Sequence, residues 1–142
     1  MPTLSLDREL ALELVRRYGL SADDLVVEVG SGPGAFLKSI HKCGVRVLGV
    51  EPEMMAMARA WSAGVDTIAA HFGLGTAEYV RDKYGAVKLL LARGVKPGTE
   101  EFARLVAAGS RCLASDGAIA ILEAGVNAVV EVRPDPVRRR VA

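Results

Sequence analysis

The stretch Val26-Val27-Glu28-Val29-Gly30-Ser31-Gly32-Pro33-Gly34 constrains the fold of this chain more than any other. A run of valines broken by one glutamate reads as a strand. The alternate glycines that follow make a loop too tight for side chains, and Pro33 suits the first turn of a helix. About twenty residues later, Val50-Glu51 ends a second apolar run on a carboxylate. A strand, a bare loop, a helix and a second strand ending in an acid make one turn of an open α/β sheet.

The same period recurs along the chain. Leu6, Leu10 and Leu14, with Ala11, Val15 and Tyr18, fall at helical spacing and leave Arg8, Glu9, Glu13, Arg16 and Arg17 on other faces, up to a stop at Gly19. Strands are expected at 25–29, 45–50, 65–70, 86–91 and 118–122. Between them, Phe36, Leu37, Ile40 and Cys43 form an apolar helical face, and Pro52 opens a second helix carrying Met54, Met55, Met57, Ala58 and Trp61 up to Gly64. Thr76 is placed to cap a helix running to Tyr84. Thr99 is placed to cap a longer one that buries Phe102, Leu105, Val106 and Leu113, with Glu100 and Glu101 in its first turn. Residues 124–127 read as a turn and 128–132 as a last strand, so close behind its predecessor that only an antiparallel hairpin fits. The expected fold is a three-layer, Rossmann-like, doubly wound α/β sheet. It is mainly parallel with an antiparallel C-terminal strand, and is preceded by an N-terminal helix.

Composition narrows the class. At 142 residues the chain is expected to be a single domain, with 133–142 a flexible basic tail ending in Arg138-Arg139-Arg140. A net charge of +1 indicates neither a nucleic-acid nor a membrane partner. No apolar run is long enough to span a bilayer, and Asp7, Glu9 and Glu13 break any signal-peptide pattern. Cys43 and Cys112 read as reduced, buried hydrophobes of a cytoplasmic protein. With His41 and His71 they show no metal-ligand spacing.

The loop and the acid carry the chemistry. Gly30 permits a sharp turn, Gly32 lets a ligand approach the backbone, and Gly34 lets the helix start pack closely. Amide groups at that helix start favour an anionic group. Glu51, at the tip of the neighbouring strand, can accept both hydrogens of a ribose diol. A nucleoside-bearing small molecule is the ligand class these residues suit.

Glu28-Val29-Gly30-Ser31-Gly32-Pro33-Gly34 and Val47-Leu48-Gly49-Val50-Glu51-Pro52-Glu53-Met54 resemble the first two motifs of the class I S-adenosylmethionine-dependent methyltransferases. The likeness spans about residues 6–123 and is sharp over 26–58. It implies S-adenosylmethionine as cofactor and methyl transfer to an acceptor it does not identify. The cofactor-binding set it implies is Glu28, Gly30, Ser31, Gly32, Pro33, Gly34, Glu51, Pro52, His71 and Phe72. In that set Glu28 meets the methionine amino end or the loop amides, the glycines cradle the methionyl part, and Glu51 holds the ribose. The family's third strand often ends on an acid that binds the adenine amino group. Residues 69–73 contain none, which leaves backbone groups, Phe72 against the ring face and His71 as a polar contact. Gly30, Gly32 and Ala35 also satisfy a nicotinamide-dinucleotide loop, but Glu28 would then face a pyrophosphate.

No catalytic residue is named by the motifs. Arg93 is open between holding an anionic substrate and pairing with a surface acid. Glu123 is open between a general base and a simple strand end. The family sheet normally has two more strands after the fifth, whereas twenty residues follow Leu122. The expectation is an exposed C-terminal sheet edge available for a homodimer. A non-catalytic cofactor-binding module or subunit of the same fold is the alternative function.

Overall fold

A computed structural model describes residues 2–123 and 129–134, with side chains from Leu6 onward. The elements run α1 (Pro2–Tyr18), β1 (Leu25–Val29), α2 (Ala35–His41), β2 (Arg46–Val50), α3 (Met54–Ser62), β3 (Thr67–Ile68), α4 (Leu74–Tyr84), β4 (Val87–Arg93), α5 (Glu100–Cys112), β5 (Leu113–Leu122) and β6 (Val129–Val132). The strands form one sheet in the order β3-β2-β1-β4-β5-β6. β1 to β5 pair in parallel, and β6 closes antiparallel on β5 with Ile119 opposite Val132 and Leu122 opposite Val129. This is the expected Rossmann-like sheet. The expected turn at 124–127, residue 128 of the last strand and most of the basic tail lie outside the described residues.

Apolar strands buried on both faces supply two cores. On one side Val26, Leu89, Leu91, Ala118, Ala120 and Leu122 pack under α1 and α2. On the other, Val27, Leu90, Ile119 and Ile121 pack under α4 and α5. The period-two alternation within β1 therefore sends Glu28 to the α1/α2 side. The Tyr18 hydroxyl at the end of α1 donates to Glu131 Oε2 at 2.6 Å, tying α1 to β6. Burial, reinforced by that carboxylate, pushes the Tyr18 phenol up to about 12.

Several local expectations are corrected. Met54, Met55 and Trp61 are exposed, and the buried residue of α3 is Ala60. A small residue faces inward because α3 sits almost against the β1 loop: a Cβ at Gly34 would lie 3.2 Å from that of Ala60. Trp61 instead lies outward, its ring N–H donating to the Thr67 carbonyl at 2.9 Å on edge strand β3. Leu6 also faces outward. The third strand is only Thr67–Ile68, with Val65 drawn back to the end of α3 by its N–H donating to the Ala60 carbonyl at 2.9 Å. α4 starts at Leu74, ahead of Thr76, whose hydroxyl donates back to the His71 carbonyl at 2.7 Å. Pro33 precedes α2 rather than opening it. β5 begins at Leu113, and a register shift between Val87 and Leu89 absorbs the extra residues. Cys43 is only half-buried, whereas Cys112 is buried and its thiol is pushed up to about 12.

Candidate functional site

Strand order reverses between β1 and β4, where the sequence runs outward to β2 and β3 on one side and to β5 on the other. A crevice opens at the carboxyl ends of the strands at such a point. The β1 loop enters it anchored to its neighbour, with the Gly30 amide donating to the Val50 carbonyl at 2.8 Å. Gly30, Gly32 and Gly34 have φ of 69°, 60° and 83°, a region that disfavours any side chain. Gly34 faces protein, against Ala60 and Val65, whereas a Cβ at Gly30 or Gly32 would meet nothing within 4 Å. Two loop residues therefore present bare backbone to open space. Ser31 between them is buried, its hydroxyl packed where a Cβ on Gly49 would approach to 2.3 Å.

Glu51, at the tip of β2, is 8% exposed and hydrogen-bonded through both oxygens. Its Oε1 accepts the Gly32 amide at 2.9 Å and its Oε2 the Glu53 amide at 2.8 Å. Glu53 in turn caps α3, accepting from the amides of Met55 and Ala56. These bonds fix the carboxylate against the glycine loop. An ionised carboxylate offers about four lone-pair positions, so each oxygen keeps capacity for one more donor.

Glu28, one strand over, is equally buried but poorly satisfied. Its Oε2 meets the Arg93 Nε at 3.4 Å, and its Oε1 has no hydrogen-bond partner among the described residues. Burial pushes this carboxyl up to about 7 even though the Arg93 guanidinium pulls it down. That guanidinium lies 4.7 Å from the centre of the Phe36 ring, a cation–π contact that holds it over the acid.

On the α4/α5 side the crevice widens to a cavity of about 400 Å³. Val29 and Gly30 line it from β1, His71 and Phe72 from the loop after β3, and Ala92, Arg93 and Val95 from the end of β4. Glu101, Arg104 and Leu105 close it from the first turns of α5. Of the residues singled out in the sequence, Gly30, His71 and Phe72 meet in this cavity, while Gly32, Glu28 and Glu51 gather at the neighbouring strand tips. Pro33 and Pro52 are exposed beside them, and Ser31 and Gly34 pack inward. Arg93 does pair with an acid, but a buried one. The α5 wall was not anticipated. The spacing of 101, 104 and 105 marks one helical face, yet nothing local says which way that face turns.

No family model matches the chain. Over 110 residues it is 34% identical to the C-methyltransferase NovU of Streptomyces niveus, a match spanning 78% of this chain and 26% of that protein. The sugar N-methyltransferase KedS8 of a Streptoalloteichus species superposes with a TM-score of 0.63 at 19% identity, over 84% of this chain and 48% of that one. A methyltransferase of Thiobacillus denitrificans, solved in complex with S-adenosyl-L-homocysteine, superposes with a TM-score of 0.55 at 23% identity, over 80% and 47%. The chain thus spans about a quarter of the length of the curated relative and about half of these structures.

Proposed function

We propose, from the premise that this chain belongs to the class I S-adenosylmethionine-dependent methyltransferase family, that it binds S-adenosylmethionine in the β1–β4 crevice and serves methyl transfer to an acceptor molecule. The observation that carries this reading is Glu51 bonded to the amide of a loop whose glycines open onto the crevice.

The residues fit the group. The unpartnered Oε1 of Glu28 suits the cationic amino end of a methionyl chain, which would supply both a hydrogen-bond donor and a compensating charge. Gly30 and Gly32 admit that chain against the backbone. Glu51 keeps lone pairs for the two ribose hydroxyls, and Phe72 offers a ring face in a cavity large enough for a purine, with His71 at its rim. Ser31, Pro33, Gly34 and Pro52 set the loop that carries these groups. When bound, the cofactor supplies a methyl on a sulfonium, an electrophile that needs alignment and exclusion of water more than acid–base help. The protein's part is accordingly to hold and orient. A nicotinamide dinucleotide suits the site less, because its pyrophosphate would lie beside the buried, half-satisfied Glu28.

The same reading treats the chain as one cofactor-binding domain. The unpaired thiols of Cys43 and Cys112 support placing it in the cytoplasm. Edge strand β6 is a candidate surface for pairing with a second copy, tested by whether the mass in solution depends on concentration. Calorimetry tests the cofactor assignment. S-adenosylhomocysteine should bind the wild type, NAD should not, and Glu51→Ala should weaken binding by at least about tenfold. Absence of binding, or binding indifferent to Glu51→Ala, would sink the assignment.

A further inference from the structure

The Glu28 carboxyl is buried with a free lone pair and little to balance a negative charge. It is 2% exposed, and Oε1 meets no donor among the described residues. Three charged groups act on it from the elements around it. From β4 the Arg93 guanidinium reaches Oε2 through Nε at 3.4 Å, and 43% of that side chain is open to screening solvent. Glu51 on β2 and Asp7 on α1 carry the same sign as an ionised Glu28 and oppose it. α2 contributes the uncharged Phe36 ring, over which the guanidinium lies. One long contact does not offset burial and two like charges, and the carboxyl is pushed up to about 7. A proton is therefore the group that settles the unpartnered oxygen in the empty crevice.

We propose that a proton and the cationic amino end of the cofactor displace one another at Oε1 of Glu28, so that cofactor binding releases a proton and is opposed by acid. This rests on the cofactor reading above and assigns regulation by pH to the same site. An ionised carboxylate only accepts, whereas a protonated one carries a hydrogen of its own, as an ammonium does. With Oε1 protonated, donor would face donor. On binding, the O–H bond breaks and its electron pair stays on Oε1 to accept the ammonium. The proton leaves to the buffer. The cation then supplies the charge balance that Arg93 gives only in part.

The test is calorimetric titration of the full chain with S-adenosylhomocysteine at pH 6, 7 and 8. Each titration is run in two buffers of different ionisation enthalpy, which counts the protons released. Wild type should release about one proton at pH 6 and close to none at pH 8, with affinity rising about tenfold between them. Glu28→Gln keeps the shape of the acid without a titrating proton, and should bind with no release and a flat pH profile. His71 also lines the cavity, so His71→Asn is the control and should keep the release whatever it does to affinity. Less than about a quarter of a proton released by the wild type at pH 6 overturns the proposal. Release that survives Glu28→Gln, or that vanishes in His71→Asn, overturns it equally. The wild-type count and the His71→Asn control decide the matter even where Glu28→Gln binds too weakly to titrate. In all these outcomes S-adenosylhomocysteine still binds the wild type, and the cofactor reading stands. If it does not bind at all, that reading fails and this proposal fails with it.

Discussion

The tips of β1 and β2 lie side by side, and each carries a carboxylate less than a tenth exposed. At the β2 tip both oxygens of Glu51 accept backbone amides under 3 Å away. At the β1 tip Glu28 has one long contact to Arg93 and one orphaned oxygen. Similar burial thus goes with contrasting hydrogen bonding. Hydrogen bonds replace the lost water around Glu51, whereas desolvation wins at Glu28 and raises its proton affinity. The difference teaches which acid is scaffold and which waits for a partner. Glu51 ties loop to strand, and the orphaned oxygen of Glu28 is where the proposed cationic group would gain most.

The largest effect that would break this contrast is at Glu28. Its carboxyl moves from 4.5 in a solvated chain to about 7 in the fold. Below the lower value both states are protonated and the group contributes nothing. Between the two only the unfolded chain ionises, so stability falls as pH rises, and above about 7 the loss is complete. At roughly 1.4 kcal/mol per pH unit the loss is about 3 kcal/mol. Urea unfolding at pH 5 and pH 8 should show that decline in the wild type and its disappearance in Glu28→Gln. Parallel curves for the two proteins would remove the contrast.

Next in size is Gly49→Ala, which drives a methyl onto the buried Ser31 hydroxyl behind the loop. Overpacking of this kind costs about 2 kcal/mol, read as a lower urea midpoint. Glu51→Ala should follow at roughly 1 to 2 kcal/mol of stability without ligand, since the Gly32 and Glu53 amides lose their acceptor but lie where water can reach them. A Glu51 variant as stable as wild type would mean the acid does not brace the loop. The smallest effect lies away from both tips. Thr99→Ala removes the cap of α5 and should cost about 1 kcal/mol by thermal unfolding, leaving the pH dependence of the wild type intact.

The β1 loop and Glu51 were legible in the sequence because their signal is local: glycines at fixed offsets, then an acid one βα unit later. The Rossmann-like, mainly parallel sheet was legible for the same reason, since apolar strands alternated with helical segments. The inward residue of α3 was not legible, because the close approach of helix and loop admits only Ala60 and leaves the larger apolar side chains outside. The ion pair of Glu28 joins residues 65 positions apart, and the α5 wall of the cavity stands still further from Gly30. Such partners are set by the sheet order, which brings β4 beside β1, and no spacing rule along the chain records them.

The most direct test is a crystal structure of this chain with S-adenosylhomocysteine. The account predicts ribose hydroxyls on Glu51, the amino group at Oε1 of Glu28 and the base against Phe72 in the α5-walled cavity. A ligand seated elsewhere, or the crevice left empty at saturating concentration, would contradict it.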